Sequence, residues 1–308
     1  MRSTARSLLA RLTHTRLFQS KPLLAPLILT LWRYLRARDA ESGEQVVSAL
    51  AMRNFRYPIL FHDRNDLEYV LYPKQNAEVY LASGGNYEVG ETRFCLSRLK
   101  PGMICFDVGA NIGLYTLLFA KAVGPSGYVH AFEPEPKNYR RLLVNLALNR
   151  FDHVTANQAA VFSKSQTVTL NVYPDSLHAW HSLGRPDLHS PGEMTPPEAQ
   201  LSVAAVSLDD YCRARGVERI DYLKIDVEGA ELDVLNGAES LLARGAIGLI
   251  QFEVSLAQVK SLGRATDEIF AFLRARGFRC HLIVADGGLG PEAATAHADY
   301  ANYVALQD

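Results

Sequence analysis

The segment of the sequence best suited to chemistry is residues 106–113, which reads Phe-Asp-Val-Gly-Ala-Asn-Ile-Gly. It is an apolar run that enters a glycine-containing turn before an amphipathic stretch. Glycine lets the backbone approach a ligand closely, and a helix that begins here offers unpaired N–H groups. Asp107 stands directly before the turn, where a carboxylate attracts an ammonium group and repels a phosphate. This segment is therefore interpreted as a binding loop for a cationic ligand.

The same loop departs from the fingerprint of dinucleotide-binding folds. Counting G-x-G-x-x-G from Gly109 requires glycines at the positions of Asn111 and Leu114. A nicotinamide-dependent oxidoreductase on a Rossmann domain therefore stays an alternative, but the missing glycines and Asp107 both argue against it.

A second acid, Glu133, ends the next apolar run, about twenty residues beyond Gly113. In nucleoside-binding α/β folds an acid at this place accepts hydrogen bonds from both hydroxyls of a ribose. Asp107 and Glu133 together indicate that the ligand is a cationic nucleoside.

Two further acids, Asp226 and Glu228, follow the apolar run of residues 220–225. Ligands of open α/β sheets bind at the carboxyl ends of the strands, so we expect both acids to face the same cavity as Asp107. Acids before a helix also cap it and stabilise its dipole, which leaves a purely structural role open. Glu231 lies inside the predicted helix, and we assign it a structural role.

The elements that must position these residues follow a regular order along the chain. Apolar runs alternate with amphipathic stretches from residue 103 to 149, and a helix over residues 230–243 separates two later runs. This alternation predicts a doubly wound α/β fold with a parallel sheet covered on both faces. Residues 278–284 and 302–306 are predicted to close the sheet as an antiparallel hairpin. Residues 174–200 and 286–298 are predicted to be long loops that cover or bind a substrate.

We divide the chain into three parts: a basic N-terminal helical extension (1–56), a β-hairpin and helix leading into the core (57–100), and a cofactor-binding domain (101–308). Eight Lys and Arg residues precede the first acid, Asp39. The apolar run among them is too short for a membrane span and is interrupted by proline. We expect a helix at the domain edge, with peripheral membrane contact or organelle targeting as alternatives.

Net charge and cysteine spacing limit the kinds of partner and the cellular compartment that we expect. The 308 residues carry a formal net charge of -1 at pH 7, which argues against a nucleic acid partner. The four cysteines are far apart and none forms a C-x2-C pair, which argues against a zinc site or a redox dithiol. The expectation is reduced, buried thiols in a cytoplasmic protein.

Three motifs together resemble the FkbM-type methyltransferases: residues 107–113, residues 131–134 (Ala-Phe-Glu-Pro) and residues 225–231 (Ile-Asp-Val-Glu-Gly-Ala-Glu). The resemblance covers roughly residues 101–253. It implies a seven-stranded, mostly parallel sheet with S-adenosyl-L-methionine lying over the carboxyl ends of the strands and the adenine near residues 157–160. The implied cofactor-binding residues are Asp107, Gly109, Ala110, Asn111, Gly113 and Glu133.

The resemblance also implies methyl transfer to a hydroxyl group, on a small molecule, a sugar or a lipid-like acceptor. The protein then has to position the acceptor and remove its proton. We assign this catalytic role to Asp226 and Glu228; the other candidate bases are Glu253, His178, His181 and His189. No metal site is assigned, although Asp226, Glu228 and Glu253 could hold a divalent metal as hard oxygen ligands. A non-catalytic binding module that keeps the fold is the remaining alternative.

Overall fold

The structure is a computed structural model that describes residues 58–72, 78, 81, 88–174, 180–184 and 196–307. The described residues fall into two compact units, one before Glu88 and one from Glu88 onward. The predictions for the basic extension (1–56), for His178 and for His189 lie outside the described residues.

The first unit contains a β-hairpin, in which β1 (Ile59–His62) pairs antiparallel with β2 (Glu68–Leu71). Asp63 forms the turn: its Oδ1 accepts hydrogen bonds from the backbone N–H groups of Asn65 at 2.8 Å and Leu67 at 2.9 Å. Asp favours turns for this reason. The hairpin lies where the sequence predicts it.

The second unit holds the remaining described strands and helices. The strands are β3 (Ile104–Val108), β4 (Tyr128–Phe132), β5 (Val154–Asn157), β6 (Ala160–Val161), β7 (Gln166–Val172), β8 (Ala199–Val206), β9 (Tyr222–Ile225), β10 (Leu249–Ser255), β11 (Phe278–Ile283), β12 (Leu289–Glu292) and β13 (Tyr300–Gln307). The helices are α1 (Val89–Arg98), α2 (Leu114–Val123), α3 (Pro136–Asn149), α4 (Leu208–Arg215), α5 (Glu231–Asn236), α6 (Glu239–Ala243), α7 (Leu256–Ser261) and α8 (Asp267–Arg274).

One large sheet carries the fold, with strand order β12-β11-β13-β10-β9-β3-β4-β5. The strands from β10 to β5 in this order pair in parallel, whereas β13 pairs antiparallel with both β10 and β11. The central strands β3, β4 and β9 are almost wholly buried, because helices cover both faces of a parallel sheet. The predicted doubly wound architecture and its closing antiparallel hairpin are confirmed.

Local sequence explains where α3 begins and where α5 and α6 separate. Pro136 occupies the first turn of α3, where the Glu135 side chain accepts a hydrogen bond from Asn138 N. The predicted helix over residues 230–243 is divided into α5 and α6 at Gly237, where a Cβ atom would lie 2.2 Å from the carbonyl oxygen of Phe162. Within the described part of the chain, no helix is long and apolar enough to cross a membrane.

The strand count differs from the sequence-based expectation. The sheet has eight strands rather than seven, because β12 forms an extra edge strand inside the predicted loop of residues 286–298. It contains Gly290 and Pro291, which sequence patterns assign to loops and which a sheet tolerates at its edge. A separate three-stranded sheet, in the order β6-β8-β7, includes β8, which the sequence analysis did not predict. Its alanine-rich sequence has weak β-propensity.

Candidate active site

Strands β3, β4 and β9 end side by side, which brings three of the predicted acids to one edge of the sheet. Val108 at the end of β3 lies opposite Phe132 of β4 and Ile225 of β9. Glu133 and Asp226 directly follow these two residues, so both lie near Asp107 at the same edge of the sheet. Asp226 N donates a hydrogen bond to Val108 O at 2.9 Å, so the two chain segments stay in contact beyond the strands.

The backbone N–H groups of the turn after β3 donate hydrogen bonds to other groups of the protein. Gly109 N and Ala110 N both donate to Phe132 O, at 3.0 and 2.9 Å, and Gly113 N donates to Ala110 O at 2.8 Å. Asn111 N donates to the Glu133 carboxylate at 2.8 Å. These four N–H groups of the turn are therefore paired, whereas the predicted unpaired N–H groups are those at the start of α2. The turn is no anion cradle, which agrees with its interpretation as part of a site for a cation.

Gly109 is required by the close approach of two backbones. Its φ is +86°, and a Cβ atom would lie 1.7 Å from the carbonyl oxygen of Asp226. We expect Gly109→Ala to lower the free energy of unfolding by about 3 kcal/mol or more, from backbone strain and a clash that cannot relax. Gly245 has φ +64° and no atom within 4 Å of such a Cβ, so Gly245→Ala should cost about 1 kcal/mol. Urea unfolding of both variants tests this; equal costs would contradict it.

Asp107 is a buried carboxylate, and one of its oxygens has no hydrogen-bond partner among the described residues. Its Oδ2 accepts a hydrogen bond from the Thr116 hydroxyl at 2.5 Å, whereas Oδ1 is buried and has no partner among the described residues. Burial raises the pKa of Asp107, and the nearby Lys224 ammonium opposes that rise. Buried polar atoms are normally paired, so Oδ1 fits a cationic donor such as a ligand's ammonium group.

Glu133 is held at the end of β4 by two backbone donors. Its Oε2 accepts from Asn111 N at 2.8 Å and its Oε1 accepts from Glu135 N at 2.9 Å. Burial raises the pKa of Glu133 to about 8, although both hydrogen bonds lower it. Each oxygen retains a lone pair, so the carboxylate can accept from two hydroxyl groups at once.

Lys224 is a member of the site that the sequence analysis missed. It is buried in β9, donates from Nζ to Asp226 Oδ2 at 2.7 Å and lies 4.3 Å from the centroid of the Tyr115 ring. Burial alone lowers the pKa of Lys224, but the carboxylates of Asp226, Asp107 and Glu88 outweigh it and raise this pKa. The sequence could have indicated this residue, because a lysine in an apolar strand, two residues before Asp226, lies on the same face as Asp226.

The acids that follow β9 and end β10 form a compact cluster of Asp226, Glu228 and Glu253. One carboxylate oxygen from each lies within 4.8 Å of the others. Glu228 has φ +55° and precedes Gly229, whose φ is +100°, so the chain turns sharply here. Burial, followed by the charge of Asp226, raises the pKa of both Glu228 and Glu253. Such a cluster can bind a cation or take up a proton.

Three other residues singled out from the sequence form hydrogen bonds with backbone groups. Glu231 Oε1 accepts from Gly229 N at 3.1 Å and from Val227 N at 3.3 Å, which fits the structural role assigned to it. His181 Nδ1 accepts from Tyr173 N at 3.1 Å, in a loop bonded to β7. Asn157, in the region proposed for adenine, donates to Ala131 O at 3.0 Å.

Comparison with known proteins decides the class of this site. A family profile described as the methyltransferase FkbM domain matches residues 107–280, more than half of the chain, and spans the glycine turn, Glu133 and the acid cluster. The chain belongs to the FkbM methyltransferase family. It is therefore an S-adenosylmethionine-dependent methyltransferase, and the oxidoreductase and non-catalytic alternatives are set aside.

The chain is also similar to individual proteins, two of them by sequence and one by structure. The methyltransferase is 32% identical over 200 residues to "31-O-demethyl-FK506 methyltransferase FkbM" of Streptomyces tacrolimicus, covering 58% of this chain and 74% of the relative. It is 27% identical over 151 residues to "2-O-methyltransferase NoeI" of Sinorhizobium fredii, covering 47% and 61%. The crystal structure of methyltransferase FkbM from Methylobacillus flagellatus aligns with a TM-score of 0.39 at 13% identity, covering 94% of this chain and 61% of that one.

The residues of the methyltransferase fit its cofactor. S-adenosylmethionine supplies a methyl group on a sulfonium centre, together with an ammonium group and a ribose with two hydroxyls. The unpaired Oδ1 of Asp107 suits the ammonium group, and the two-oxygen carboxylate of Glu133 suits the ribose. The Oδ1 atom of Asn111 is also buried without a partner in the described structure, which leaves a further acceptor in the same turn.

The raised pKa of Glu133 predicts that cofactor binding is linked to pH. A ribose donates to the ionised carboxylate, whereas the free side chain, with its pKa of about 8, is protonated at lower pH. Binding of S-adenosylhomocysteine should therefore release about one proton, and its affinity should rise roughly tenfold per unit between about pH 6 and 7.5. Titration calorimetry in phosphate and in Tris at one pH measures the release. A binding heat independent of the buffer would contradict the prediction.

Proposed function

We propose that the methyltransferase transfers its methyl group to a hydroxyl oxygen, with Asp107, Gly109, Ala110, Asn111, Gly113 and Glu133 contacting the cofactor and with Asp226 and Glu228 on the acceptor side. The observation that carries the proposal is the position of Asp226, which continues from the strand next to Asp107. The acid cluster therefore adjoins the place where Asp107 would hold the methionine end of the cofactor, so an acceptor bound by these acids reaches the methyl group.

The proposed roles of the two acids follow from their bonds. Asp226 Oδ2 is occupied by the Lys224 ammonium, so Asp226 is fixed in place and orients the acceptor. Glu228 has no basic partner of that kind in the described hydrogen bonds, and its carboxylate is the group that takes the hydroxyl proton. An alcohol is a poor nucleophile until its proton is removed, and a positioned base contributes about 10²- to 10⁴-fold to such a step.

The acceptor is proposed to be a small molecule or a sugar. The names of two relatives specify O-methylation, at position 31-O in one and 2-O in the other. Carboxylates accept hydrogen bonds from hydroxyl groups, so a polyhydroxylated acceptor suits the cluster of Asp226, Glu228 and Glu253. A lipid-like acceptor stays a prediction from the sequence.

Isotope transfer tests the proposed reaction. The full chain is incubated with methyl-labelled S-adenosylmethionine and pools of hydroxylated small molecules, sugars and amines, and labelled products are treated with mild alkali. We expect label in products that resist alkali, as methyl ethers do, and none in the amine pool. Label confined to amines would refute O-methylation, and label released by alkali would indicate a carboxylate acceptor instead.

A further inference from the structure

We propose that Asp226, Glu228, Glu253 and Gln258 form a binding site for one divalent cation of the hard, oxygen-preferring class, such as Mg²⁺, Mn²⁺ or Ca²⁺. The inference deepens the proposed function, since the cation would hold the acceptor hydroxyl beside the cofactor. It rests on four features: the spacing of the carboxylates, the bonds that hold two of them, a buried amide oxygen without a partner, and the charge of the pocket.

The spacing of the three carboxylates suits a shared ion. Their ligand oxygens lie within 4.8 Å of one another. Two ligands on opposite sides of an ion are separated by twice the ion–oxygen distance, which is about 4.1 Å for Mg²⁺ and about 4.6–5.2 Å for Ca²⁺. The three oxygens therefore need little movement to share one ion. Carboxylates are the side chains that these cations prefer.

Two of the carboxylates are also held by separate neighbours, as metal ligands usually are. Lys224 Nζ donates to Asp226 Oδ2 at 2.7 Å, and the Tyr300 hydroxyl donates to Glu253 Oε2 at 2.7 Å. Gln258 lies beside Glu228, since its Cβ is 3.1 Å from the place that a Cβ would take on Gly229, the next residue. Asp226 and Glu253 thus each have one bond that fixes the side chain and leaves further acceptor positions for the ion.

Gln258 supplies the independent observation. Its side chain is 2% exposed, and its Oε1 is buried with no hydrogen-bond partner in the described part of the chain. Gln258 packs against Gly229, directly after Glu228, so this orphan oxygen belongs to a side chain at the turn that carries the acid cluster. An amide oxygen is a common ligand of hard cations, and an unpaired one at a cluster of acids indicates a missing cation.

The charge of the pocket points the same way. Glu253 is buried and Asp226 and Glu228 are partly buried, and the ammonium of Lys224 is already bound to Asp226. The ammonium group of the cofactor is assigned to Asp107. Glu228 and Glu253 have no basic hydrogen-bond partner among the described residues. A divalent cation would supply the missing positive charge through one oxygen of Glu228, which leaves the other oxygen to act as the proposed base.

Binding of Mn²⁺ to the full untagged chain, followed by electron paramagnetic resonance in the presence of S-adenosylhomocysteine, tests the site. We expect one Mn²⁺ per chain with a dissociation constant of about 10⁻⁴ M or tighter. Glu253→Gln keeps the shape and the bond to Tyr300, and it should weaken binding at least tenfold, roughly what loss of one charged ligand causes. Tyr300→Phe should weaken binding by a smaller factor without removing a ligand.

The matched control is Glu239→Gln on α6, an acid whose partner is Arg276 at the surface; it should bind Mn²⁺ as the parent chain does. Thermal unfolding without metal verifies that each variant is folded. Absence of bound Mn²⁺, or equal binding by folded Glu253→Gln, overturns the metal site. Methyl transfer that is undiminished in EDTA also overturns it but leaves the proposed O-methylation intact. Labelled methyl groups found on amines alone would refute O-methylation, whatever the Mn²⁺ result.

Discussion

Replacing Glu228 by Gln is expected to lower kcat for methyl transfer by about 10²- to 10⁴-fold while leaving the affinity for S-adenosylhomocysteine within about threefold. The amide has nearly the shape of the carboxylate, so the lower rate can be attributed to the missing charge and basicity. Single-turnover transfer from labelled cofactor measures the rate, and calorimetry measures the affinity. The effect should appear in kcat because the residue acts on the acceptor proton.

Two comparisons make this result interpretable. Glu231→Gln changes a neighbouring acid whose Oε1 accepts from backbone N–H groups, so it should act through stability and leave much more of kcat than Glu228→Gln does. Transfer by Glu228→Gln at close to the parent rate would exclude Glu228 as the base. In that case the proton would have to leave by another route, such as Asp226 or Glu253.

Replacing Asp107 by Asn is expected to weaken S-adenosylhomocysteine binding by roughly 30- to 1000-fold, which corresponds to about 2–4 kcal/mol. The variant removes one partner of a buried ion pair and leaves the ligand's ammonium group without a counter-charge. Thr116 can still donate to the amide oxygen, and no cavity forms. Calorimetric titration measures the change.

The matched control for Asp107 is Asp152→Asn, since the Asp152 side chain is fully exposed between α3 and β5. It should bind the ligand as the parent chain does. Circular dichroism and thermal unfolding show whether Asp107→Asn keeps the native fold. A folded Asp107→Asn variant with parent-like affinity would mean that this carboxylate does not contact the ammonium group.

The convergence of the acids could be predicted because it depends on topology alone. Asp107, Glu133 and Asp226 each lie at or just beyond the end of an apolar strand, and parallel strands that are neighbours bring such ends to one edge. The strand order need not be known in detail for this argument. The same reasoning applies to Glu253, at the end of the next strand.

What the sequence could not show are contacts between elements that packing brings together. Tyr300 reaches Glu253 through the antiparallel pairing of β13 with β10, and Gln258 reaches Glu228 from a short helix of six residues. Neither residue has a spacing or composition that marks it. The pairing of the N–H groups of Gly109 and Ala110 could not be predicted for a related reason, since their acceptor, Phe132 O, belongs to a neighbouring strand.

The most direct test of the cofactor site is a crystal structure with S-adenosylhomocysteine bound. We expect Asp107 Oδ1 within about 3 Å of the ligand's amino nitrogen, and the Glu133 carboxylate within about 2.8 Å of both ribose hydroxyls. The homocysteine sulfur should face the cluster of Asp226, Glu228 and Glu253. A ligand whose ribose lies away from Glu133, or whose amino group does not contact Asp107, would contradict the assignment.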